Sequence, residues 1–212
     1  MRIGILGTGA VGRTLAERLV ELGHDVVIGT RDVAATEERA DEPFPVELRT
    51  APEAAAHGEV VINATGGQVS VAALQGAGAE NLAGKVIVDV SNPLDFSQGF
   101  PPRLTVCNDD SVAEQIQRAF PEARVVKTLN TVTADVMAYP DKVGDGDHTI
   151  FVSGNDQDAK STVVQLLREF GWRDVIDVGD ITTARGTEML LPLWVRLMGT
   201  LGTTHFNYKL IR

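Results

Sequence analysis

Residues 2–12 read RIGILGTGAVG, and this stretch decides the fold. A short apolar run leads into the loop Gly7-Thr8-Gly9-Ala10-Val11-Gly12, and a stripe of apolar residues at helical spacing follows it. A G-x-G-x-x-G loop between a strand and a helix is typical of a dinucleotide-binding turn. Gly7 permits the tight turn, Gly9 lets the backbone approach a pyrophosphate, and Gly12 lets the helix pack on the strand. The stretch therefore predicts a strand–loop–helix unit that holds a dinucleotide.

The end of the next predicted strand indicates which dinucleotide is bound. NAD binders place an Asp or Glu about 20 residues past the glycines, where it accepts hydrogen bonds from the ribose hydroxyls. Here the strand ends in Gly29, which is followed by Thr30, Arg31 and Asp32. The Arg31 guanidinium suits a phosphate, whereas Asp32 is an acid that could instead face the ribose. The pattern favours NADP(H), with Thr30 and Arg31 at the 2′-phosphate.

Short β-rich runs alternate with helical patterns along the rest of the chain. The predicted strands are Arg2–Leu6, Asp25–Gly29, Val46–Leu48, Glu59–Asn63, Lys85–Val90, Arg124–Lys127, Thr149–Ser153 and Asp174–Val178. Several are continuous Val/Ile runs, as expected of strands covered on both faces. Helix signals begin near Val11, Thr50, Ser111 and Asp156. We therefore predict an α/β, Rossmann-type doubly wound, mostly parallel sheet of about eight strands.

The final segment, from about residue 181, carries an unusually apolar helical pattern. It includes Leu190, Leu193, Trp194, Leu197 and Leu201. A helix that is apolar over much of its circumference needs burial on more than one side. We expect it to pack on the sheet and on a second subunit, which predicts a homodimer. No linker interrupts the chain, so we expect residues 1–212 to form one NAD(P)-binding domain that includes this segment.

The overall charge excludes several classes of partner. The chain has 19 Lys and Arg against 29 Asp and Glu, a formal net charge of -10. Neither nucleic acid nor an anionic membrane surface is expected to attract it. The single cysteine, Cys107, allows no internal disulfide, which fits a reducing compartment. The first residues run directly into a strand pattern and no stretch approaches the roughly 18 apolar residues of a membrane span, so we expect a cytoplasmic protein without a leader.

Several motifs together carry a resemblance to a known family. Besides the glycine loop, they are Gly29-Thr30-Arg31, Val90-Ser91-Asn92-Pro93-Leu94, Lys127-Thr128-Leu129-Asn130-Thr131, Val152-Ser153-Gly154-Asn155 and Leu191-Pro192-Leu193-Trp194. Their order and spacing resemble the NADP-dependent oxidoreductases named for the deazaflavin coenzyme F420. The same domain forms the cytosolic part of certain membrane ferric reductases. The resemblance implies an eight-stranded, usually dimeric protein that moves a hydride between NADPH and a deazaflavin or flavin-like acceptor.

The resemblance also implies which residues form the site. It places Thr8, Ala10 and Val11 at the pyrophosphate, and Thr30 and Arg31 at the 2′-phosphate. Along the path to the nicotinamide ribose it places Ala64, Thr65 and Gly66. Over the nicotinamide it places Asn92, Pro93, Asn130 and Thr131. The deazaflavin enzymes carry a His where this chain has Asn130, which leaves the acceptor open between a deazaflavin and a flavin.

Other interpretations of these residues stay open. Asn92 precedes a proline, and Asn-Pro is a common turn starter. Asn130-Thr131 could cap a following helix. Arg185 could be a cation of the acceptor site or the partner of a neighbouring helix.

The chemistry of hydride transfer makes few demands on side chains. The two reacting carbons must lie about 3–3.5 Å apart with water excluded. The four His residues, His24, His57, His148 and His205, share no metal-ligand spacing, so we predict no catalytic acid–base and no metal ligand. The sequence thus predicts an NADPH-dependent reductase. The alternatives are a non-catalytic NADP(H)-binding redox sensor and a reductase of another small acceptor.

Overall fold

Strands and helices alternate along the chain in the computed structural model, which describes residues 1–212. The strands are β1 (Arg2–Leu6), β2 (Asp25–Thr30), β3 (Leu48–Thr50), β4 (Val60–Asn63), β5 (Val86–Asp89), β6 (Leu94–Asp95), β7 (Arg103–Leu104), β8 (Arg124–Thr128), β9 (Thr149–Gly154) and β10 (Asp174–Gly179). The helices are α1 (Ala10–Glu21), α2 (Val33–Glu38), α3 (Ala51–His57), α4 (Ser70–Ala77), α5 (Ala79–Leu82), α6 (Val112–Ala119), α7 (Ala134–Ala138), α8 (Gln157–Phe170), α9 (Ala184–Met189) and α10 (Leu191–Leu201).

Eight of the strands form one sheet in the order β3-β2-β1-β4-β5-β8-β9-β10. Neighbouring strands are parallel from β3 to β8, while β9 runs antiparallel to β8 and β10 runs parallel to β9. The prediction of a doubly wound, mostly parallel sheet is confirmed. The interpretation of the chain as one domain stays a prediction.

Helices cover both faces of this sheet. On one face, α1, α7 and α8 bury side chains such as Leu15 and Leu167 against the strands. On the other face, α3, α4, α5 and α6 bury residues such as Leu74 and Ile116. Strands between two apolar layers need apolar side chains in both directions, which explains the continuous Val/Ile runs.

Helices α3 and α8 begin and end at the predicted signals. The Thr50 hydroxyl accepts a hydrogen bond from the Glu53 amide, while the Glu53 carboxylate accepts one from the Thr50 amide, so the capping box of α3 is formed. At the start of α8, the Asp156 carboxylate accepts a hydrogen bond from the amide of Ala159 and so caps the helix. Gly171 ends α8 with φ +109°, in the left-handed region.

The short elements depart from the sequence prediction. Strand β3 lies at Leu48–Thr50 rather than Val46–Leu48, because Leu48 pairs with Ile28 and the register continues to Thr50 opposite Thr30. Helices α2, α4, α5 and α7 have only four to eight residues, too few for a helical period to stand out in the sequence. The small hairpin of β6 and β7 was also not predicted.

The C-terminal segment forms α9 and α10 after a turn at Ile181–Thr183. In α10 only Leu191 and Val195 are buried, whereas Leu193 and Leu201 are 51% and 55% exposed. A single chain therefore does not bury α10 on more than one side, although the apolar pattern predicts such burial. None of the helices combines the length and the apolar character that crossing a membrane requires.

Candidate functional site

The glycine loop connects β1 to α1, as predicted. Gly7 has φ +127°, which side chains rarely allow, and a Cβ on Gly12 would lie 2.0 Å from the Gly7 carbonyl oxygen. A Cβ on Gly9, in contrast, would meet no atom within 4 Å. Gly7 and Gly12 are therefore required by the fold itself, whereas Gly9 keeps a space open beside the helix.

The N-terminus of α1 is left without a partner from the chain's own side chains. Gly9, the N-cap residue, supplies no side-chain hydrogen bond, and the first turn contains no acidic residue. The first amides of a helix lack intrahelical partners and carry a partial positive charge, so they favour an anion. The open space at Gly9 and these amides fit a pyrophosphate group.

A free cation lies at the carboxyl end of β2, the strand next to β1. Arg31 is exposed, and its guanidinium makes no hydrogen bond or ion pair within the chain. The Asp32 carboxylate accepts a hydrogen bond of 3.0 Å from the Ala35 amide and so caps α2. One oxygen of the acid that could face a ribose is thus used for the helix cap, and Arg31 is available to an external anion.

A cavity of about 650 Å³ opens beside α1, past the carboxyl ends of β4, β5 and β8. Among the predicted site residues, it is lined by Ala10, Val11, Ala64, Thr65, Gly66, Asn92 and Asn130. The other lining residues are Gly67, Gln68, Val69, Val90, Ser91, Leu94, Phe96, Val132, Thr133, Ala134, Met137, Leu191 and Trp194. None of these side chains titrates between acid and alkaline pH. The wall of the cavity is therefore neutral and largely apolar, with two aromatic rings.

The remaining predicted residues lie outside this wall. Gly7, Thr8, Gly9 and Gly12 form the adjoining loop, and Thr30 and Arg31 lie at the end of β2. Pro93 and Thr131 are buried next to the lining residues Asn92 and Asn130. Their roles toward a cofactor stay predictions.

A row of buried polar side chains lies directly below the cavity. Asn63, Asp89 and Lys127 occupy paired positions near the ends of β4, β5 and β8, so their side chains point to the same face. The Asn63 amide donates to one Asp89 carboxylate oxygen at 2.8 Å, and the Lys127 ammonium lies 2.8 Å from the other. All three residues are 1% exposed or less.

Glu188 of α9 completes the row. One of its oxygens lies 2.9 Å from the Lys127 Nζ, and its carboxylate also accepts hydrogen bonds from the amides of Val112 and Ala113 at the start of α6. Burial lowers the pKa of Lys127, but the facing Asp89 and Glu188 carboxylates outweigh that effect and raise it above its ordinary value. We call Asn63, Asp89, Lys127 and Glu188 the buried polar row.

The row is bonded to the loops that line the cavity. Asn63 accepts a hydrogen bond of 2.7 Å from the Thr65 hydroxyl, and Asp89 accepts one of 3.2 Å from the Ser91 amide. Lys127 donates its third hydrogen bond to the Ser91 carbonyl at 2.5 Å. The ammonium group thus has all three of its donors satisfied inside the protein.

The two asparagines of the cavity wall are bonded to each other. The Asn130 amide donates to the Asn92 side-chain oxygen at 3.0 Å and to the Thr187 carbonyl at 3.1 Å, while the Asn92 amide donates to the Asn130 carbonyl at 2.8 Å. Asn130 is not a helix cap, because α7 begins later, after Thr133. The pair therefore joins two strand-end loops to α9.

Arg185, whose role the sequence left open, is the partner of a helix. Its guanidinium donates two hydrogen bonds, of 2.9 and 2.6 Å, to the Glu114 carboxylate on α6. This pairing lowers the pKa of Glu114. Arg185 is therefore held away from the cavity, whose wall it does not join.

Sequence reasoning missed the buried polar row, although a signal was present. Asn63, Asp89 and Lys127 are polar residues at the ends of otherwise apolar strands, where a strand covered on both faces should be apolar throughout. Glu188 is the only acidic residue after Asp180, inside an apolar helical pattern. Polar residues at such positions predict partners for each other, which a search for catalytic motifs does not reveal.

The histidines lie away from the cavity. His24 and His57 contact Glu169 and Asp25, His148 is buried against Trp172, and His205 pairs with Asp135. No group of three or more His, Cys, Asp or Glu side chains is arranged to hold a metal ion.

Comparison with known proteins identifies the family. Residues 2–93 match the family described as NADP oxidoreductase, coenzyme F420-dependent. The F420-dependent NADP reductase of Methanocaldococcus jannaschii is 32% identical over 209 residues, which cover 93% of this chain and 92% of that protein. A crystal structure from Arthrobacter sp. FB24, described as a candidate F420-dependent NADP reductase, is 58% identical, with a TM-score of 0.97 and full coverage of both chains.

A second kind of relative matches as well. The rat metalloreductase STEAP3 is 32% identical over 199 residues, which cover 91% of this chain but only 38% of that longer protein. The similarities show an NADP-dependent oxidoreductase, for which NADP(H) is the expected cofactor. The chain belongs to the family of coenzyme F420-dependent NADP oxidoreductases.

Proposed function

We propose that the chain transfers a hydride between NADPH and the ring of a deazaflavin such as coenzyme F420, held in the cavity beside α1. The observation that carries this proposal is the neutral, partly aromatic wall next to an open helix N-terminus. A bound NADPH would supply the hydride. The work left to the protein is to hold two rings together and to exclude water, and that needs no charged side chain.

The residues divide into three groups under this proposal. The glycine loop, including Thr8, and the amides of Ala10 and Val11 would bind the pyrophosphate, and Thr30 and Arg31 would bind the 2′-phosphate. The loop 64–66, together with Asn92 and Asn130, would enclose the nicotinamide end, supported by the buried Pro93 and Thr131. Phe96 and Trp194, which also line the cavity, would cover the acceptor ring with apolar surface.

The identity of the acceptor is inferred from relatives. The named F420-dependent NADP reductases match over nearly their whole length, which favours a deazaflavin, whereas the metalloreductase matches over a minor part. A flavin ring has the same three-ring outline, so the wall alone does not separate the two.

Steady-state oxidation of NADPH with either coenzyme F420 or FMN tests the proposal. We expect turnover with coenzyme F420 and a lower kcat/KM with FMN. A higher kcat/KM with FMN would reassign the acceptor. Tight NADPH binding without turnover of either acceptor would contradict the reductase function and favour a non-catalytic NADP(H) sensor.

We also propose that a second copy of the chain covers α10. Leu193 and Leu201 expose apolar surface on this helix, and Leu191 and Trp194 of the same helix line the cavity. Burying exposed apolar surface against a second copy would be favourable and would hold that wall. Light scattering after size-exclusion chromatography should give twice the mass of 22.7 kDa, and a monomer at micromolar concentration would refute this assembly.

A further inference from the structure

We propose that the buried polar row, and Glu188 in particular, positions the three loops that enclose the nicotinamide, and so sets the distance over which the hydride moves. The inference deepens the proposed function and rests on it. None of the four residues lines the cavity, so they act as positioning residues.

The connections of the row support this role. Through Thr65 it holds the loop after β4, and through both the amide and the carbonyl of Ser91 it holds the loop after β5. The loop after β8 is held by Thr187, the residue of α9 that precedes Glu188, because the Asn130 side-chain amide donates a hydrogen bond to the Thr187 carbonyl. One network therefore ties together the three strand ends that meet at the cavity.

The energetics of the row argue against a purely stabilising role. Two carboxylates and one ammonium group are buried together, so the row carries a formal charge of -1 away from water. Buried ion pairs seldom stabilise a fold more than apolar side chains of the same volume would. What they provide is directional geometry, because each hydrogen bond fixes a distance and an angle.

Glu188 is the residue that brings α9 to the row. The Lys127 ammonium and the positive end of α6 compensate its buried charge. Just beyond Glu188 the chain enters α10, where Leu191 and Trp194 line the cavity. Glu188 thus links the nicotinamide loops to the wall that would face the acceptor.

The test compares Glu188→Ala and Glu188→Gln with the control Glu114→Gln. Gln keeps the shape of the side chain and leaves Lys127 and Asp89 as a neutral pair. The control breaks the ion pair between Glu114 on α6 and Arg185 on α9, the same two helices that Glu188 joins. Glu114 makes no hydrogen bond to the loops that line the cavity. Three quantities are measured: the single-turnover rate of hydride transfer to coenzyme F420, the Kd for NADPH, and the fluorescence anisotropy of the bound nicotinamide.

Because a misplacement of about 1 Å can cost about 100-fold in rate, we expect Glu188→Ala to slow the transfer by about 10–100-fold. Glu188→Gln should lose less, and the control should change neither rate nor anisotropy. The Kd for NADPH should stay within about twofold, since the phosphate contacts lie elsewhere, while the anisotropy falls as the nicotinamide loosens.

Wild-type rate and anisotropy in a folded Glu188→Ala variant would overturn the inference, as would an equal loss in the control. If Glu188→Ala does not fold, Glu188→Gln decides by the same two measurements. If the wild-type protein binds NADPH but reduces no deazaflavin, the proposed function fails, and the anisotropy comparison still decides the role of Glu188.

Discussion

The two ends of the candidate site present different chemical groups to a ligand. At the proposed phosphate end, main-chain amides and one exposed guanidinium face solvent, and Gly9 leaves room for a ligand. At the proposed nicotinamide end, the wall is neutral and charged side chains are buried beneath it. Phosphates carry charge that surface groups can attract, whereas a ring that exchanges a hydride must be held accurately and kept dry. The difference predicts that variants at the two ends fail in different ways.

The largest effect is expected from Lys127→Met. This change leaves the carboxylates of Asp89 and Glu188 buried without their cation, which typically costs about 3–5 kcal/mol of unfolding free energy. Urea denaturation measures the loss. The control is Lys160→Met, which breaks the ion pair between Lys160 on α8 and the partly exposed Asp177 on β10. This loss should cost less unfolding free energy than the loss of Lys127. Equal stability of Lys127→Met and the wild-type protein would show that the row is not needed by the fold.

Arg31→Ala tests the phosphate end. Loss of a charged phosphate contact should weaken NADPH binding by about 1.5–3 kcal/mol and leave NADH binding unchanged, with no loss of fold stability. Calorimetric titration with both cofactors measures the two affinities. The control is Arg39→Ala, which removes a neighbouring exposed guanidinium that contacts the Ala35 carbonyl. Equal losses for NADPH and NADH would contradict the assignment of Arg31.

Gly9→Ala separates ligand binding from folding within a single loop. A methyl group at Gly9 meets no atom of the chain but occupies the open space, so NADPH affinity should fall by about tenfold while thermal stability is kept. Gly12→Ala is the contrasting variant, because its Cβ would lie 2.0 Å from the Gly7 oxygen. It should destabilise the ligand-free protein by about 1–3 kcal/mol. A stable Gly12→Ala variant would mean that the loop can rearrange.

The smallest effect is expected from a change of pH on the single-turnover rate of hydride transfer. The cavity wall has no titrating side chain, and the facing carboxylates of Asp89 and Glu188 raise the pKa of Lys127 above its ordinary value. A group with a raised pKa contributes stability that is fully present below its unfolded pKa and is lost only as pH rises through the folded pKa, so the contribution of Lys127 is lost only on the alkaline side. The single-turnover rate should therefore vary by less than about twofold between pH ~6 and ~9. A bell-shaped profile would reveal an acid–base group outside the wall.

The sequence predicted most of the sheet and the strand–loop–helix geometry of the glycine loop, because both depend on local signals. Gly7, Gly9 and Gly12 are adjacent in the chain, and the caps at Thr50 and Asp156 lie within one helical turn of their partners. The buried polar row could not be assembled in this way, because Lys127 and Asp89 are 38 residues apart and meet only through strand pairing. Trp194 could not be placed from the sequence either, because it lies on α10 and joins the cavity wall only through tertiary packing.

The reversed direction of β9 has a consequence for how this fold can change. Because β9 runs against β8, the connection from residue 129 to 148 starts and finishes on the same side of the sheet, beside the cavity. Five of its residues line that cavity: Asn130, Val132, Thr133, Ala134 and Met137. A crossover to a parallel strand would instead have carried the second half of this connection to the opposite edge of the sheet. Substitutions in this one return segment would therefore reshape the wall of the cavity while the glycine loop and Arg31 stay unchanged, which makes it the natural place to redesign specificity.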